Sequence, residues 1–281
     1  MTAAPLRELA RAKINLTLHV TGRRPDGLHV LDSLVVFAEC GDVLEAEPAS
    51  TLSLTLDGPF GSALDAGGDN LVLRAAERMG GPGAALRLWK NLPVASGIGG
   101  GSADAAAAVR LLARMNGGAL PEAATLTALG ADVPVCLSAA PQRMRGIGEE
   151  LSVAPALPPA WLVLVNPGVP VATARVFARL ERFGRPIDLP ERFTDFHNFA
   201  GWLREQRNDL EAPARAVAPV LDQVLPELAA LPGAALARMS GSGATCFALF
   251  GSDAEALAAA ETLRRAHPGW WVMPTAIAAS G

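Results

Sequence analysis

A run of glycines before an alanine-rich stretch has the composition of a phosphate-binding loop. Four glycines fall within five positions, and a serine follows them: Gly97, Gly99, Gly100, Gly101 and Ser102. Glycine destabilises a helix or strand by about 0.5–1 kcal/mol relative to alanine. Such a cluster therefore indicates a close approach of backbone N–H groups to an anion. Residues 103–115 predict a helix with Ser102 as its N-cap, and a helix N-terminus attracts anions. The run therefore predicts a phosphate site.

Two common phosphate-loop patterns do not fit this run. No Gly-Lys-Ser/Thr follows the glycines, which excludes a Walker A loop. Gly97 and Gly99 fit the Rossmann spacing, but position 102 is serine rather than glycine. A surface turn with an N-capped helix behind it has the same composition and stays an alternative.

Composition and charge limit the classes of protein. The 281 residues are 50% hydrophobic and 19% charged, which is typical of a globular chain with one large core or two ordinary ones. The formal net charge is −4 and Lys/Arg runs never exceed two residues, so we expect no nucleic-acid partner. Residues 154–174 are uncharged but hold five prolines, and residues 1–12 lack the apolar core of a signal peptide, so we expect no membrane partner.

Cysteine and histidine usage indicates a reducing compartment. The three cysteines, Cys40, Cys136 and Cys246, are far apart and form no Cys-x-x-Cys pair. The four histidines show no metal-ligand spacing. We therefore expect a cytoplasmic protein with free thiols.

The surrounding pattern predicts the elements that position these residues. Residues 11–20 alternate polar and apolar, which predicts a half-buried strand with Lys13 and Asn15 side by side on its open face. The mixture of strands and helices without strict alternation indicates an α+β fold, with residues 154–159 as the linker candidate. Further strands are predicted at 34–38, 43–47, 52–56, 85–90, 161–165, 235–239, 246–250 and 270–277. Helices are predicted at 71–79, 103–115, 121–129, 173–181, 213–231 and 254–266.

Several segments together resemble one family. Residues 93–108 resemble the phosphate loop of the GHMP small-molecule kinases, which include galactokinase, homoserine kinase and mevalonate kinase, and residues 238–244 resemble their C-terminal glycine motif. Four segments resemble, in the right order, a branch whose substrate carries cytidine diphosphate: residues 12–16, 24–29, 130–134 and 208–211. The resemblance implies a ribosomal S5-like N-terminal lobe (1–153) and a ferredoxin-like C-terminal lobe (154–281), with the active site in the cleft between them.

The resemblance also implies a reaction and two catalytic residues. The reaction transfers the γ-phosphoryl group of ATP, with Mg²⁺, to the 2-hydroxyl of a cytidine-diphosphate-linked methylerythritol in non-mevalonate isoprenoid precursor synthesis. Asp132 maps to the carboxylate that accepts the hydroxyl proton, and Lys13 to a lysine that keeps this carboxylate ionised. From the residues alone, Asp132 is equally an N-cap for a helix beginning near 133, and Lys13 a solvated strand lysine. No Mg²⁺ ligand is assigned.

The nucleotide end of the implied site includes the glycine run. The resemblance assigns ATP contacts to Asn70, Lys90, Pro93, Gly97, Ile98, Gly99, Gly100, Gly101, Ser102 and Ala103. Asn70 also fits a helix cap, and Lys90 a lysine at the end of a strand. Asp104 lies in the first turn of an anion-binding helix, where its charge would repel phosphate. We expect its side chain to point away rather than meet Mg²⁺ or a lysine.

The cytidine end contains one departure from the family pattern. The resemblance assigns substrate contacts to Asn15, Leu28, His29, Thr173, Phe177, Gly241, Ser242 and Gly243. The family usually has tyrosine where this chain has Leu28, and the chain contains no tyrosine, so about 1 kcal/mol of base stacking is missing. Phe177 would supply the remaining aromatic face, and His29 would hydrogen-bond the base.

Simpler roles remain open for several of these residues, and so do other functions. His29 also fits a solvated turn histidine, the 241–243 segment fits a hairpin turn, and residues 208–211 predict no more than a helix cap. Kinases of the same family that act on homoserine or mevalonate derivatives are close alternatives. A nucleotide- or RNA-binding module that lost catalysis is an alternative of a different class.

Overall fold

The computed structural model describes residues 4–279, except for the side chains of residues 123 and 124. The strands are β1 (Leu6–Asn15), β2 (His19–Arg23), β3 (His29–Pro48), β4 (Ser53–Asp57), β5 (Ala84–Trp89), β6 (Gln142–Gly146), β7 (Glu150–Val153), β8 (Trp161–Asn166), β9 (Leu236–Met239), β10 (Cys246–Phe250) and β11 (Trp271–Ala276). The helices are α1 (Leu71–Met79), α2 (Gly100–Asn116), α3 (Ala123–Thr127), α4 (Val133–Ser138), α5 (Thr173–Phe177), α6 (Phe196–Glu205), α7 (Glu211–Val217), α8 (Leu221–Ala229) and α9 (Asp253–Ala266). This mixture confirms the α+β class.

The chain divides into two compact units that interleave along the sequence. The first unit comprises Met1–Ala12, Cys40–Val94 and Gly99–Ala139. The second unit comprises Lys13–Glu39, Ala95–Ile98 and Ala140–Gly281. Strands β1 and β3 each contribute residues to both units. The predicted lobes, 1–153 and 154–281, are continuous segments and differ from these interleaved units. The boundary between the lobes stays a prediction.

The first unit contains a small sheet and a helical layer that includes α2. The second half of β3 pairs antiparallel with β5, Val43 lying opposite Trp89, and β4 pairs parallel with β5. Helices α1 and α4 pack against α2, whose alanines at 105–108 are fully buried. Because alanine side chains are small, the neighbouring helices can approach α2 closely.

In the second unit, β8 to β11 form a ferredoxin-like arrangement. Their antiparallel sheet has the order β11-β8-β10-β9, and helices follow β8 and β10, which gives the β-α-β-β-α-β plan. Alternate residues of the central strands join the core, among them Val163 and Val165 of β8. Apolar residues of α8 and α9, such as Leu228 and Leu263, belong to the same core. The ferredoxin-like part of the prediction is confirmed.

The second unit also contains an antiparallel group of strands from the first half of the chain. Residues 29–32 of β3 pair with β2, and residues 31–35 pair with β6, where Ser33 lies opposite Met144. Strand β7 pairs with β6 in turn. Neither β6 nor β7 was predicted from the sequence, because short strands of mixed polarity carry little periodic signal.

Two local predictions are wrong. The strand expected at 11–20 is two strands, and Lys13 and Asn15 are not on an open face, since they are only 4% and 1% exposed. The amide nitrogen of Asn15 has a buried hydrogen-bond partner in Ser33, so alternation of polarity did not mean alternation of exposure. Helix α2 begins at Gly100, so Ser102 lies within its first turn and is not the N-cap.

Other elements match their predictions within a few residues. These are β4, β5, β8, β9, β10, β11, α1 and α9. The helix expected at 213–231 is two helices, α7 and α8, and α6 was missed. No helix within residues 4–279 is long and apolar enough to cross a membrane.

Candidate active site

Helix α2 begins with unsatisfied backbone donors, as an anion site requires. Its N-cap is Gly99, which lies in the left-handed region at φ 65° and makes no side-chain capping bond. The first N–H groups of a helix have no acceptor within the helix, and the peptide dipoles add partial positive charge there. The N–H groups of Gly100, Gly101 and Ser102 therefore have no acceptor within the helix, and the helix begins three residues earlier than the sequence indicated. Their binding of phosphate stays a prediction.

A buried cluster of ions, Asp42, Lys90 and Asp104, lies beside this helix start. Lys90 Nζ donates hydrogen bonds to Asp42 Oδ2 and to Asp104 Oδ2, the latter at 2.7 Å. The expectation that Asp104 points away is wrong, because its side chain is buried against Lys90. Because most residues in this part of α2 are alanines, its sequence has no amphipathic pattern that would indicate this contact.

Burial and charge act on the protonation of this cluster. Burial raises the pKa of the Asp104 carboxyl, and the nearby ammonium of Lys90 opposes that shift. Burial lowers the pKa of Lys90, but the two carboxylates more than offset this and the net shift is upward. Lys90 is therefore a charged lysine whose ammonium donates to the side chains of Asp42 and Asp104, and a direct contact of Nζ with ATP stays a prediction without support from this geometry.

The glycines of the run serve different purposes. A Cβ at Gly100 would lie 3.0 Å from Lys90 Nζ, so this glycine makes room for the lysine. A Cβ at Gly101 would make only an ordinary contact with Leu71 at 3.5 Å. Gly97 has φ +76°, and a Cβ there would lie 2.7 Å from the carbonyl oxygens of Ser240 and Gly243. Gly97 is thus required for packing against another stretch of backbone.

That stretch is the second glycine turn, residues 240–245 between β9 and β10. Ser240 Oγ donates to Gly97 O at 3.1 Å, and Thr245 N donates to Ser96 O at 3.1 Å. Gly241 also has a positive φ, and a Cβ there would lie 2.6 Å from Gly97 O. The two glycine motifs that the sequence singled out are in direct contact, so the 241–243 segment is more than a hairpin turn.

Lys13 and Asn15 lie at the junction where these two glycine motifs are in contact. Lys13 N donates to Ile98 O at 2.9 Å, and Asn15 N donates to Ser240 Oγ at 3.1 Å. Asn15 Nδ2 donates to Ser33 Oγ at 2.8 Å, whereas no donor among the described residues reaches the buried Asn15 Oδ1. Buried polar atoms normally have partners, so this acceptor is consistent with the substrate contact expected of Asn15, which stays a prediction.

Two of the residues predicted to bind cytidine, His29 and Phe177, belong to a small aromatic group. The rings of His29 and Phe177 stack at a centroid distance of 4.7 Å, and Phe183 meets His29 edge-on at 6.2 Å. Burial and the charge of Arg23 lower the pKa of His29, so its imidazole is neutral at neutral pH. Leu28 is 48% exposed. Phe183 was missed, because no spacing rule relates it to His29.

Thr173 and Ser242 link this region to the second glycine turn. Their hydroxyl oxygens lie 2.8 Å apart in a hydrogen bond. The structure therefore brings together, within the second unit, the predicted residues Lys13, Asn15, Gly97, Ile98, Gly241, Ser242, Gly243 and Thr173.

Asp132 lies at the N-cap position of α4 but does not act as a cap. Its side chain makes no capping hydrogen bond, although Pro134 lies in the first turn of α4 as predicted. A Cβ at Gly130 would lie 3.8 Å from Ser102 Oγ, so the segment leading to Asp132 lies next to the start of α2. Arg110, which the sequence did not single out, donates to Cys136 O and Leu137 O at 2.8 and 3.0 Å and fixes the far end of α4.

Asn70 does act as a cap, which was the simpler of its two expected roles. Its Oδ1 accepts a hydrogen bond from Val72 N at 2.9 Å, at the start of α1. Its Nδ2 donates to Asp65 O at 2.8 Å. An additional contact with ATP stays a prediction.

Residues 208–211 have a role that the sequence did not suggest. Asn208 Nδ2 donates to Met239 O at 2.8 Å and to Gly241 O at 2.9 Å, so one side chain holds the second glycine turn. Asn208 Oδ1 accepts from Leu210 N at 3.0 Å in a local turn before α7. The N-cap of α7 is Leu210 without a side-chain capping bond, so the expected helix cap is wrong.

The amide of Asn208 gives a stability prediction. Asn208→Asp replaces the donating amide by an oxygen that faces two buried carbonyls, so we expect the free energy of unfolding to fall by about 3 kcal/mol. Chemical denaturation measures the change. Asn198→Asp, at an exposed site on α6 where the side chain only accepts a hydrogen bond, is the control and should be neutral. Equal stability of the two variants would contradict the role of Asn208.

Comparisons with known proteins agree with this architecture. The family described as GHMP kinases N terminal domain matches residues 70–140, and GHMP kinases C terminal matches residues 189–269. A 4-diphosphocytidyl-2-C-methyl-D-erythritol kinase of Cereibacter sphaeroides (strain ATCC 17025 / ATH 2.4.3) is 59% identical over 273 residues, covering 96% of this chain and 98% of that relative.

Solved structures give the same grouping. A crystal structure of 4-(cytidine 5'-diphospho)-2C-methyl-D-erythritol kinase is 33% identical with a TM-score of 0.79, covering 98% of this chain and 100% of that one. Homoserine kinase from Cytophaga hutchinsonii shares the fold, with a TM-score of 0.68 at 16% identity over 99% of this chain and 96% of its own. The predicted GHMP kinase fold is confirmed. The chain belongs to the 4-diphosphocytidyl-2-C-methyl-D-erythritol kinase branch of the GHMP kinase family.

Proposed function

We propose that this chain transfers the γ-phosphoryl group of ATP to the 2-hydroxyl of 4-diphosphocytidyl-2-C-methyl-D-erythritol. The observation that carries the proposal is the uncapped N-terminus of α2 behind Gly99, with the segment of Asp132 beside it. An anion cradle next to a carboxylate that caps no helix suits a phosphoryl donor and a hydroxyl acceptor. Membership of the kinase branch supports the identity of the acceptor.

Two side chains would carry the chemistry. Asp132 would accept the proton of the attacking hydroxyl, and Lys13 would supply positive charge for the oxygen that attacks. Phosphoryl transfer has a loose transition state with charge spread over the transferring oxygens, so positioning and electrostatics supply most of the catalysis. The N–H groups at the start of α2 would bind the phosphates of ATP.

Mg²⁺ would bind to the protein together with the nucleotide. The described residues contain no group of three or more His, Cys, Asp or Glu side chains that could hold a metal ion. Mg²⁺ in phosphoryl-transfer sites is commonly held by substrate phosphates with one or two carboxylates, so a complete protein cage is not required. When bound, it would neutralise charge on the phosphates, and we assign none of its ligands to this chain.

The acceptor would bind along the second unit. Asn15 Oδ1 is a buried acceptor suited to a hydroxyl donor, and the Thr173–Ser242 hydroxyl pair offers further polar contacts. A neutral His29 has one ring donor and one ring acceptor, which suits the hydrogen-bonding edge of cytosine. Phe177 already stacks on His29, so the pair would act as one aromatic surface. The described residues contain no disulfide between Cys40, Cys136 and Cys246, as expected of a cytoplasmic protein.

The leucine at position 28 gives a binding prediction. Leu28→Tyr adds an aromatic face beside His29, so we expect KM for the cytidyl substrate to fall about fivefold with kcat unchanged, which corresponds to about 1 kcal/mol of stacking. Steady-state kinetics at saturating ATP measures the effect. Leu120→Tyr, at an exposed position of the first unit, is the control. An unchanged KM in Leu28→Tyr would show that the base does not reach this residue.

The function itself is tested with purified protein and Mg-ATP. ADP formation is followed with 4-diphosphocytidyl-2-C-methyl-D-erythritol, homoserine and mevalonate side by side. We expect turnover with the cytidyl substrate only. Turnover with another alcohol would contradict the proposed substrate but not the assignment to the kinase family. Binding of ATP without turnover would favour a non-catalytic module.

A further inference from the structure

We infer that the ion cluster of Asp42, Lys90 and Asp104 is a positioning device for the phosphate-binding loop, residues 91–99. The inference rests on the proposed binding of ATP by that loop and by the start of α2. It assigns Lys90 a different task from the direct nucleotide contact expected from the sequence. The cluster would set the affinity for the nucleotide without touching it.

The hydrogen bonds of the cluster reach both ends of the loop. Asp42 Oδ1 accepts from the N–H groups of Asn91 at 2.6 Å and Leu92 at 2.8 Å, which begin the loop. Asp42 Oδ2 accepts from Lys90 Nζ, which also donates to Asp104 in α2, just beyond the end of the loop. Strand β3, through Asp42, is thus connected to both ends of the loop by directional bonds.

The fit around the lysine is close. Lys90 and Asp104 are each 2% exposed, and Asp42 is fully buried. A Cβ at Gly100 would lie only 3.0 Å from Lys90 Nζ, so the first residue of α2 is shaped around the ammonium. A shift of that ammonium would displace the N–H groups that the nucleotide uses.

Stability alone is a poor explanation for such a cluster. Removing charges from water is costly, and well-packed apolar residues often stabilise a protein as well as a buried ion pair does. The ammonium has a second effect, because an unneutralised Asp104 near the start of α2 would repel phosphate. Position and charge therefore both connect the cluster to nucleotide binding.

Four substitutions together separate positioning from general stability. Lys90→Met keeps the length of the side chain without its charge. Asp104→Leu removes the acceptor, whereas Asp104→Asn keeps the shape and one acceptor oxygen for Lys90. Leu112→Ala opens a cavity at a buried position farther along the same helix and controls for loss of stability.

The readouts are the Kd of a non-hydrolysable ATP analogue by calorimetry, the two KM values and the melting temperature. We expect Lys90→Met and Asp104→Leu to raise the Kd of the analogue and KM for ATP about tenfold, with KM for the alcohol unchanged. Asp104→Asn should stay close to the wild type. Leu112→Ala should lower the melting temperature and leave the Kd unchanged.

Two experimental results would contradict the inference. It is overturned if Asp104→Leu and Asp104→Asn bind the analogue equally well, or if Kd follows melting temperature across all variants including Leu112→Ala. Comparing the Kd of the analogue between the two Asp104 variants still tests the inference if Lys90→Met does not fold. Failure of the wild type to bind the analogue would instead overturn the proposed function.

Discussion

Asp132→Asn is expected to lower kcat by about 10²–10⁴-fold while the affinity for ATP stays unchanged. Asparagine keeps the shape of the side chain but is too weak a base to accept a proton from a hydroxyl. The Asp132 side chain makes no capping bond to α4, so the substitution should leave the start of that helix in place. Loss of turnover with ATP binding retained is the expected signature of a proton acceptor.

Single-turnover kinetics with Mg-ATP and the cytidyl substrate measures the effect, and calorimetry with the ATP analogue measures binding. Glu122→Gln, at an exposed carboxylate of the same unit, is the matched control and should retain full kcat. A loss below tenfold in Asp132→Asn would remove Asp132 from the chemical step.

Gly97→Ala is expected to reduce both stability and activity. The substitution places a Cβ in the left-handed region, and this Cβ would lie 2.7–2.8 Å from three backbone atoms of the second glycine turn. Backbone cannot give way as a flexible side chain can, so we expect the free energy of unfolding to fall by about 3 kcal/mol. The displaced turn would also move the junction at Lys13 and Asn15, and we expect kcat/KM to fall about 10²-fold.

A glycine of the same run provides the control for stability. A Cβ at Gly101 meets only Leu71 at an ordinary distance, and alanine favours the helix by up to about 1 kcal/mol. Gly101→Ala should therefore be as stable as the wild type or slightly more stable in denaturant titrations. Similar losses in Gly97→Ala and Gly101→Ala would mean that contact with the second glycine turn is not what requires Gly97.

The sequence predicted local elements well where periodicity and capping rules apply. Helix α1 begins behind Asn70 as expected, and β10 has the predicted bounds. The start of α2 was placed wrongly because Ser102 is a common N-cap, whereas the actual N-cap, Gly99, is recognisable only by its positive φ. N-cap propensity favours serine over glycine, and it therefore predicted the wrong residue as the N-cap of α2.

The site was less predictable wherever a side chain depends on distant segments. Asp104 and Lys90 meet inside the first unit, and no local pattern relates them to Asp42. Asn208 contacts a turn more than thirty positions away, as its separations of 31 and 33 residues from Met239 and Gly241 show. Such contacts follow from tertiary packing, which pattern rules over ten or twenty residues do not describe.

The interleaved course of the chain has a consequence for its synthesis. Asn15 N finds its acceptor on Ser240, 225 residues later, and both belong to the second unit. At a ribosomal rate of about 5–20 residues per second, Asn15 would wait roughly 10–45 s for that partner. The segments of the first unit, which end at Ala139, are all synthesised well before then. We expect protease protection on stalled nascent chains to appear first in the first unit, whereas the contact of Asn15 with Ser240 forms only after the last strands leave the ribosome.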